Sequence, residues 1–175
     1  MHTGNKFAGL GLAMFLAAGH PSFAAETEGT KATAKEAVFI MKAADGGMAE
    51  VEMGKLAADK GGSDAVKDFG NRMVKDHSKA NDQLKDIAAN MGVTIPDKVN
   101  AKEQAMIDKM SAMSGAAFDK VYVKEMVNDH RKDIAAFETA GKQVKNADLK
   151  KFIDSTVPVM KDHLDAIQKF DQAKQ

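Results

Sequence analysis

The chain has no cysteine, no tryptophan and only one tyrosine among its 175 residues. Without cysteine it can form no disulfide, no thiolate metal site and no cysteine nucleophile, so its stability must come from packing. Its 25 basic residues balance 25 acidic ones, and this neutrality gives no electrostatic reason to bind nucleic acid or an anionic membrane surface. No alternation of apolar and polar residues predicts a β-strand. The sequence therefore favours a helical protein without covalent cross-links.

The first residues, 1–24, have the pattern of a cleaved signal peptide. Lys6 ends a short basic segment, and residues 7–19 form an apolar core that is too short for a permanent membrane span. Ser22 and Ala24 put small residues at the −3 and −1 positions of a cleavage site. No cysteine follows to carry a lipid anchor. We therefore expect a protein exported to the periplasm, with no transmembrane segment in the mature chain.

The rest of the chain is predicted to form a short leader and one helical domain. Residues 25–33 are small and polar, whereas residues 34–175 space their apolar side chains as helices do. Four long helices and one short one are expected, over residues 34–60, 63–91, 101–113, 115–144 and 146–173. Short turns join the first two and the last two long helices, which favours antiparallel pairs. The predicted fold is an all-α, antiparallel four-helix bundle, with a short extra helix in the long connection between its second and third helices.

Three of the five histidines lie on the apolar stripes of three long helices. His77, His130 and His163 each fall near the middle of a helix, at the three- and four-residue spacing of buried side chains. The first helix has no histidine, but Glu50 interrupts a line of small residues on one of its faces. Counting residues from the turns indicates that the positions of these side chains along the bundle axis differ by roughly 5–6 Å. One layer of the bundle can therefore hold them. If the first helix is rotated so that a different face points inward, Glu52 takes the place of Glu50.

An aspartate precedes each of these histidines in the chain: Asp76, Asp129 and Asp162. Adjacent residues on a helix point about 100° apart, so no aspartate can easily share a ligand shell with its own histidine. Each could instead accept a hydrogen bond from an imidazole of a neighbouring helix. The alternative is that the three aspartates are solvated surface charges.

Taken together, several segments resemble a bacterial family of exported proteins, the domain of unknown function 4142 family of the ferritin-like superfamily. The resemblance covers about residues 37–171. It rests on Ala49-Glu50-Val51-Glu52, on Met73 to His77 with Asn81 and Leu84, on Phe118-Asp119 with Tyr122, on His130 with Phe137-Glu138, and on Pro158 with His163-Leu164. It implies a ferritin-like bundle in the periplasm or at the outer membrane, and it implies no particular reaction.

The predicted layer of imidazoles is the candidate functional site. Burying three imidazoles is costly unless they are hydrogen-bonded or bind an ion, so we expect a metal site formed by His77, His130, His163 and Glu50. Di-iron bundles use Glu-x-x-His on two helices, and no such segment occurs in the chain. No di-iron centre is therefore predicted. Three imidazoles and one carboxylate suit zinc or copper, and less well a mononuclear iron or manganese.

The predicted function is that of a periplasmic metal-binding bundle, for metal storage, metal buffering or protection of the envelope under stress. Two alternatives remain open. In the first, a non-enzymatic envelope protein uses its histidines as a buried hydrogen-bonded network and binds another envelope protein. In the second, buried neutral imidazoles sense pH. No residue pattern indicates a catalytic group or a substrate, and the sequence leaves the oligomeric state open.

Overall fold

The fold is that of a computed structural model, which describes the backbone of residues 31–172 and the side chains of residues 31–170. The predicted signal peptide, and all but the last three residues of the predicted leader, lie outside this part of the chain. Five α-helices follow one another: α1 Ala34–Lys60, α2 Asp64–Asn90, α3 Ala101–Ser111, α4 Gly115–Gly141 and α5 Ala147–Gln172. Residues 31–172 contain no β-strand, only an isolated bridge between Gly61 and Gly115. The prediction of an all-helical chain is confirmed.

Four of the five helices begin at residues whose side chains bind free N–H groups of the first turn, and α4 begins after Ser114 without such a hydrogen bond. Thr33 and Glu36 form a reciprocal capping box at the start of α1. Ser63 caps α2, as its sequence position predicts, and Asn100 caps α3. Asn146 accepts a hydrogen bond from the N–H of Leu149 at 3.0 Å in the first turn of α5. Local sequence signals therefore set most of the helix starts.

Helices α1 and α2 approach one another closely at two glycines. A Cβ atom on Gly70 would lie 2.7 Å from the carbonyl oxygen of Gly54, and one on Gly54 would lie 3.0 Å from the carbonyl oxygen of Gly70. Only glycine allows the two backbones this separation. The remaining packing joins α4 to α5, α1 to α4 and α2 to α5, while α3 lies against α1 and α4.

Two apolar clusters fill the interior, one on each side of the middle of the long helices. The first contains Met53, Phe69, Met73, Phe118, Tyr122, Met126 and Ile167, among others. The second contains Ile40, Leu84, Ile134, Phe137, Leu149, Phe152 and Met160, among others. Along α2, α4 and α5 the three conspicuous histidines fall between residues of the first cluster and residues of the second. A buried polar layer therefore separates two apolar ones.

Two buried carboxylates fasten the ends of the helices. Glu36 accepts hydrogen bonds from the backbone N–H groups of Lys145 at 2.9 Å and Asn146 at 3.1 Å, just before α5. Asp119 of α4 accepts from the N–H of Gly62 at 2.8 Å and the hydroxyl of Ser63 at 3.0 Å, in the α1–α2 turn. Both contacts join segments that are distant in sequence, so they fix how the helix pairs meet. None of the helices in the described part of the chain is long and apolar enough to cross a membrane.

Candidate metal centre

Three histidines from three helices meet in the buried polar layer. His77 of α2 is 6% exposed, and His130 of α4 and His163 of α5 are completely buried. Their ring centroids are 5.3 to 5.8 Å apart. One ring nitrogen from each lies within 4.8 Å of the corresponding nitrogens of the other two. Three buried histidines at this separation could hold a metal ion.

The hydrogen bonds of His130 and His163 fix which ring nitrogens carry protons. Nδ1 of His130 lies 3.0 Å from the carbonyl oxygen of Met126, which can only accept, so this nitrogen carries the proton. Nε2 of His163 lies 2.9 Å from the carboxylate of Asp76 and donates to it. A neutral imidazole has a single N–H. Nε2 of His130 and Nδ1 of His163 are therefore both unprotonated, and they face each other at 3.4 Å.

Glu50 of α1 joins the layer through His77. Its Oε2 accepts from Nδ1 of His77 at 2.9 Å, and its Oε1 lies 3.4 Å from Nδ1 of His130 without making a hydrogen bond. Glu50 is 4% exposed, whereas Glu52 is exposed and pairs with Lys55. Of the two glutamates weighed from the sequence, Glu50 is thus the one that faces the core. Nε2 of His77 is buried and has no hydrogen-bond partner within the described residues.

The layer contains an ionised carboxylate and two neutral imidazoles at neutral pH. Burial disfavours the charge of Glu50, but interactions with His77 and His130 outweigh this and lower its pKa to about 2. Burial also disfavours a charge on His77, but the neighbouring Glu50 carboxylate raises its pKa above the ordinary value. Burial lowers the pKa of His130, and it lowers the pKa of His163 to about 4 despite the Asp76 hydrogen bond. His130 and His163 therefore present lone pairs rather than charges.

The aspartates that precede the histidines have different environments. Asp76 accepts from His163 on the neighbouring helix, and this hydrogen bond lowers its pKa although partial burial opposes the shift. Asp129 instead pairs with Lys132 at 3.1 Å, and Asp162 is exposed. The interpretation as an acceptor for a neighbouring imidazole is therefore confirmed for Asp76, whereas the other two lie nearer to the surface-charge alternative.

A cavity of about 150 Å³ adjoins the layer on the side of Glu50 and His77. Asp133 of α4, one turn after His130, also lines it and is half-buried. Burial and the nearby Glu50 charge raise the pKa of Asp133 to about 7. Sequence reasoning missed this residue. Its spacing of three from His130 was the available signal, because residues three apart share a helix face.

The arrangement of the three imidazoles is one that could hold a metal ion. Two unprotonated nitrogens face each other, and a third imidazole has a buried nitrogen without a partner. The remaining ring nitrogen of each histidine is held by a carboxylate or a backbone carbonyl: Glu50 for His77, Met126 for His130 and Asp76 for His163. Histidines that bind metals are usually oriented in this way.

Comparison with known proteins identifies a family without assigning a function. No curated protein and no solved structure matches the chain. A sequence-family model with the description "Domain of unknown function (DUF4142)" matches residues 21–170. This match takes in all three histidines, Glu50 and Asp76. The chain therefore belongs to the DUF4142 family.

Proposed function

We propose that this protein is an exported, ferritin-like four-helix bundle that binds one metal ion through His77, His130 and His163. The observation that carries the proposal is the pair of unprotonated nitrogens, Nε2 of His130 and Nδ1 of His163, facing each other at 3.4 Å. Neither has a proton to share, because the other nitrogen of each ring donates elsewhere. Two lone pairs that face each other repel, and a cation between them removes the repulsion.

The 3.4 Å separation itself suits a metal ion better than a hydrogen bond. A hydrogen bond between nitrogen atoms would bring them to about 3.0 Å. Two imidazole nitrogens bound to zinc at 2.0–2.1 Å with a tetrahedral angle lie about 3.3–3.4 Å apart. Nε2 of His77, buried without a partner, is the natural third ligand. The rings of His130 and His163 therefore need little movement to coordinate an ion, whereas the three ligand nitrogens together lie within 4.8 Å of one another and must draw closer around it.

In this proposal Glu50 has a different role from that of the fourth ligand expected from the sequence. Its Oε2 already accepts the Nδ1 proton of His77, and this bond directs Nε2 of His77 towards the other two imidazoles. A carboxylate in that position also makes the imidazole a stronger ligand. The fourth position on the metal is then open to water or to an exogenous ligand, as in zinc sites with three protein ligands.

Zinc is the ion that the donor set fits best, and copper is the second candidate. Three neutral imidazoles with an open position are a common zinc arrangement. The buried methionines Met73 and Met126 lie one turn before His77 and His130, and Met160 lies three residues before His163. Thioether sulfur favours copper over zinc, although methionine also fills irregular cores without any metal. Mononuclear iron and manganese suit the set less well.

A metal-binding bundle in the periplasm would store or buffer the ion, or protect the envelope under stress. The support for this location is the signal-peptide pattern of residues 1–24. The lack of cysteine is compatible with an oxidising compartment, since histidine ligands do not form disulfides. We propose the metal ion as the ligand and no catalytic step.

A second candidate function is that of a structural envelope protein whose histidines only fasten the core. The observation that favours it is the Glu50–His77 contact at 2.9 Å. The pKa of Glu50 is lowered to about 2 and that of His77 is raised, so the two can form a buried ion pair without any metal. In that case the ion pair between Glu50 and protonated His77 would hold the layer together, and no metal ion would be needed.

Unfolding of the mature protein in the presence of zinc and of chelator separates the two candidates. A metal ion at 100 times its Kd should raise the free energy of unfolding by about 2.7 kcal/mol, and His163→Ala should abolish that increase. The matched control is Asp162→Ala, an exposed change next to His163, which should retain the full increase. If neither zinc nor copper raises the stability of the unmodified protein, the metal proposal is wrong and the network remains.

A further inference from the structure

We propose that the cavity beside Glu50 binds a small primary amine as its ammonium cation, separately from the metal ion. The cavity has a volume of about 150 Å³. An apolar cavity of about this size in another protein holds benzene, so a ligand of about five or six heavy atoms fits. Exposed residues Lys42 and Ala136 line it together with buried Glu50. The cavity therefore extends from the surface to the polar layer.

Four side-chain groups with oxygen acceptors line the cavity; the hydroxyl of Thr156 donates to the carbonyl oxygen of Phe152, and the other three groups come from three other helices. Oε1 of Glu50 is buried and accepts no hydrogen bond, and Glu50 is 4% exposed. Asp133 and Asn81 form no hydrogen bond or ion pair among the described residues. The Asn81 amide packs against Gly47, where a Cβ atom would lie 2.1 Å from Oδ1. A primary ammonium has three N–H groups, which matches the number of these acceptors.

The other walls of the cavity are apolar and suit an alkyl chain. Phe39 and Phe137 line it in an edge-to-face pair with centroids 4.9 Å apart, and Leu84 and Phe152 also contribute. A hard metal cation would keep several water molecules, and apart from Lys42, His77 and Thr156 the side chains of these walls offer no hydrogen bonds to such water. A short alkyl chain would cover the same walls and gain from the burial. Aromatic faces also attract organic cations.

The cavity shares Glu50 and His77 with the histidine layer, but amine binding does not require that the three histidines hold a metal ion. The cavity is lined by His77 but by neither His130 nor His163. Calorimetric titration of the mature protein, as purified, with n-butylammonium should give saturable binding of one equivalent. The neutral analogue 1-pentanol should bind at least about tenfold more weakly, because it cannot form the ionic contacts. His163→Ala removes a proposed metal ligand that lies outside the cavity, and it should retain saturable amine binding.

Variants of the lining residues locate the binding. Asp133→Asn should weaken n-butylammonium binding about tenfold or more, whereas Glu138→Gln, an exposed change on the same helix but outside the cavity, should have no effect. Ala80→Leu should abolish binding by filling the cavity, and circular dichroism should show unchanged helix content. Lys42→Ala should strengthen binding, because it removes a like charge at the exposed end.

Several results would overturn the proposal. They are absence of saturable amine binding, equal affinity for 1-pentanol and n-butylammonium, full binding in folded Ala80→Leu, or weaker binding in Lys42→Ala. Displacement of the amine by Mn²⁺ in the His163→Ala variant would instead make the cavity a second metal site. None of these results depends on whether the histidines bind metal, so the two proposals can fail separately.

Discussion

Replacement of Gly70 by alanine tests whether the close approach of α1 and α2 determines the geometry of the site. A Cβ atom at this position would lie 2.7 Å from the carbonyl oxygen of Gly54, 2.8 Å from the Cβ of Ala57 and 2.8 Å from the backbone nitrogen of Ala58. Two of these three atoms belong to backbone and cannot rotate away. Ordinary contacts of a Cβ atom begin at 3.4 Å, so the helices must separate by roughly 0.7 Å.

The expected cost follows from two opposing effects. Overpacking of a well-packed interface costs about 1–3 kcal/mol, while alanine gains about 1 kcal/mol over glycine in a helix. Gly70→Ala should therefore lower the free energy of unfolding by up to about 2 kcal/mol. Gly46→Ala is the matched control, because its new Cβ would have Asp133 Oδ2 at 3.8 Å as its nearest neighbour. That variant should be more stable than the parent protein by about 0.5–1 kcal/mol.

Urea unfolding followed by far-ultraviolet circular dichroism measures both variants. The separation of the helices should also lengthen the 2.9 Å contact between Glu50 and His77, so Gly70→Ala should bind zinc more weakly than the parent. If Gly70→Ala proves as stable as Gly46→Ala, the two backbones are not in the close contact that this reasoning requires.

Three further predictions concern carboxylates that are buried or partly buried. Asp76→Asn should weaken metal binding about 10- to 100-fold in a calorimetric titration, since Asp76 orients His163. The exposed change Asp162→Asn should leave the affinity for metal unchanged, and an equal loss of affinity in both variants would refute the orienting role of Asp76. Because the pKa of Asp133 is raised from 3.8 to about 7, its burial costs stability progressively as pH rises between these values. In metal-free protein, Asp133→Asn should therefore add about 2 kcal/mol at pH 8 and almost nothing at pH 3.5, and a pH-independent gain in urea unfolding would contradict this. Glu36→Gln should destabilise the protein by about 1–3 kcal/mol in urea unfolding at pH 7, because Glu36 fastens the start of α5; an unchanged midpoint would rule this out.

Local signals were sufficient to predict the helices from the sequence. Ser63, Asn146 and the Gly61-Gly62 pair act within a few residues of the boundaries they set. The C-terminal end of α4 was predicted less accurately. The helix ends at Gly141 and a turn follows, whereas the apolar Val144 suggested that the helix continues to residue 144. Val144 instead packs against the second apolar cluster from the turn. Periodicity could not distinguish a buried turn residue from a buried helical one.

The members of the histidine layer were predictable because each histidine replaces an apolar residue in a regular stripe. It was harder to predict which face of α1 points into the core, because the inward face is lined by small residues that carry little signal. Glu50 and Glu52 could therefore exchange roles. The roles of single ring nitrogens could not be predicted at all. They depend on contacts between helices, such as Asp76 with His163, and spacing along one helix does not determine which atoms of another helix it meets.

Two carboxylates show the same difference between local contacts, which the sequence predicts, and contacts with distant segments, which it does not. The capping box of Thr33 and Glu36 could have been recognised from its spacing. The additional hydrogen bonds from Lys145 and Asn146 to Glu36 span more than 100 residues and had no sequence signal. Asp119 belongs to a segment that carries the family resemblance, but its hydrogen bonds to Gly62 and Ser63 could not be foreseen.

The central claim is that His77, His130 and His163 together bind one metal ion. Elemental analysis of the mature protein, purified from the periplasm without an affinity tag or chelator, tests it most directly. We expect close to one equivalent of a single metal, zinc or copper, per protein chain. A variant with all three histidines changed to alanine should contain none. Metal-free protein that takes up neither ion on challenge, or equal metal content in the variant, would contradict it.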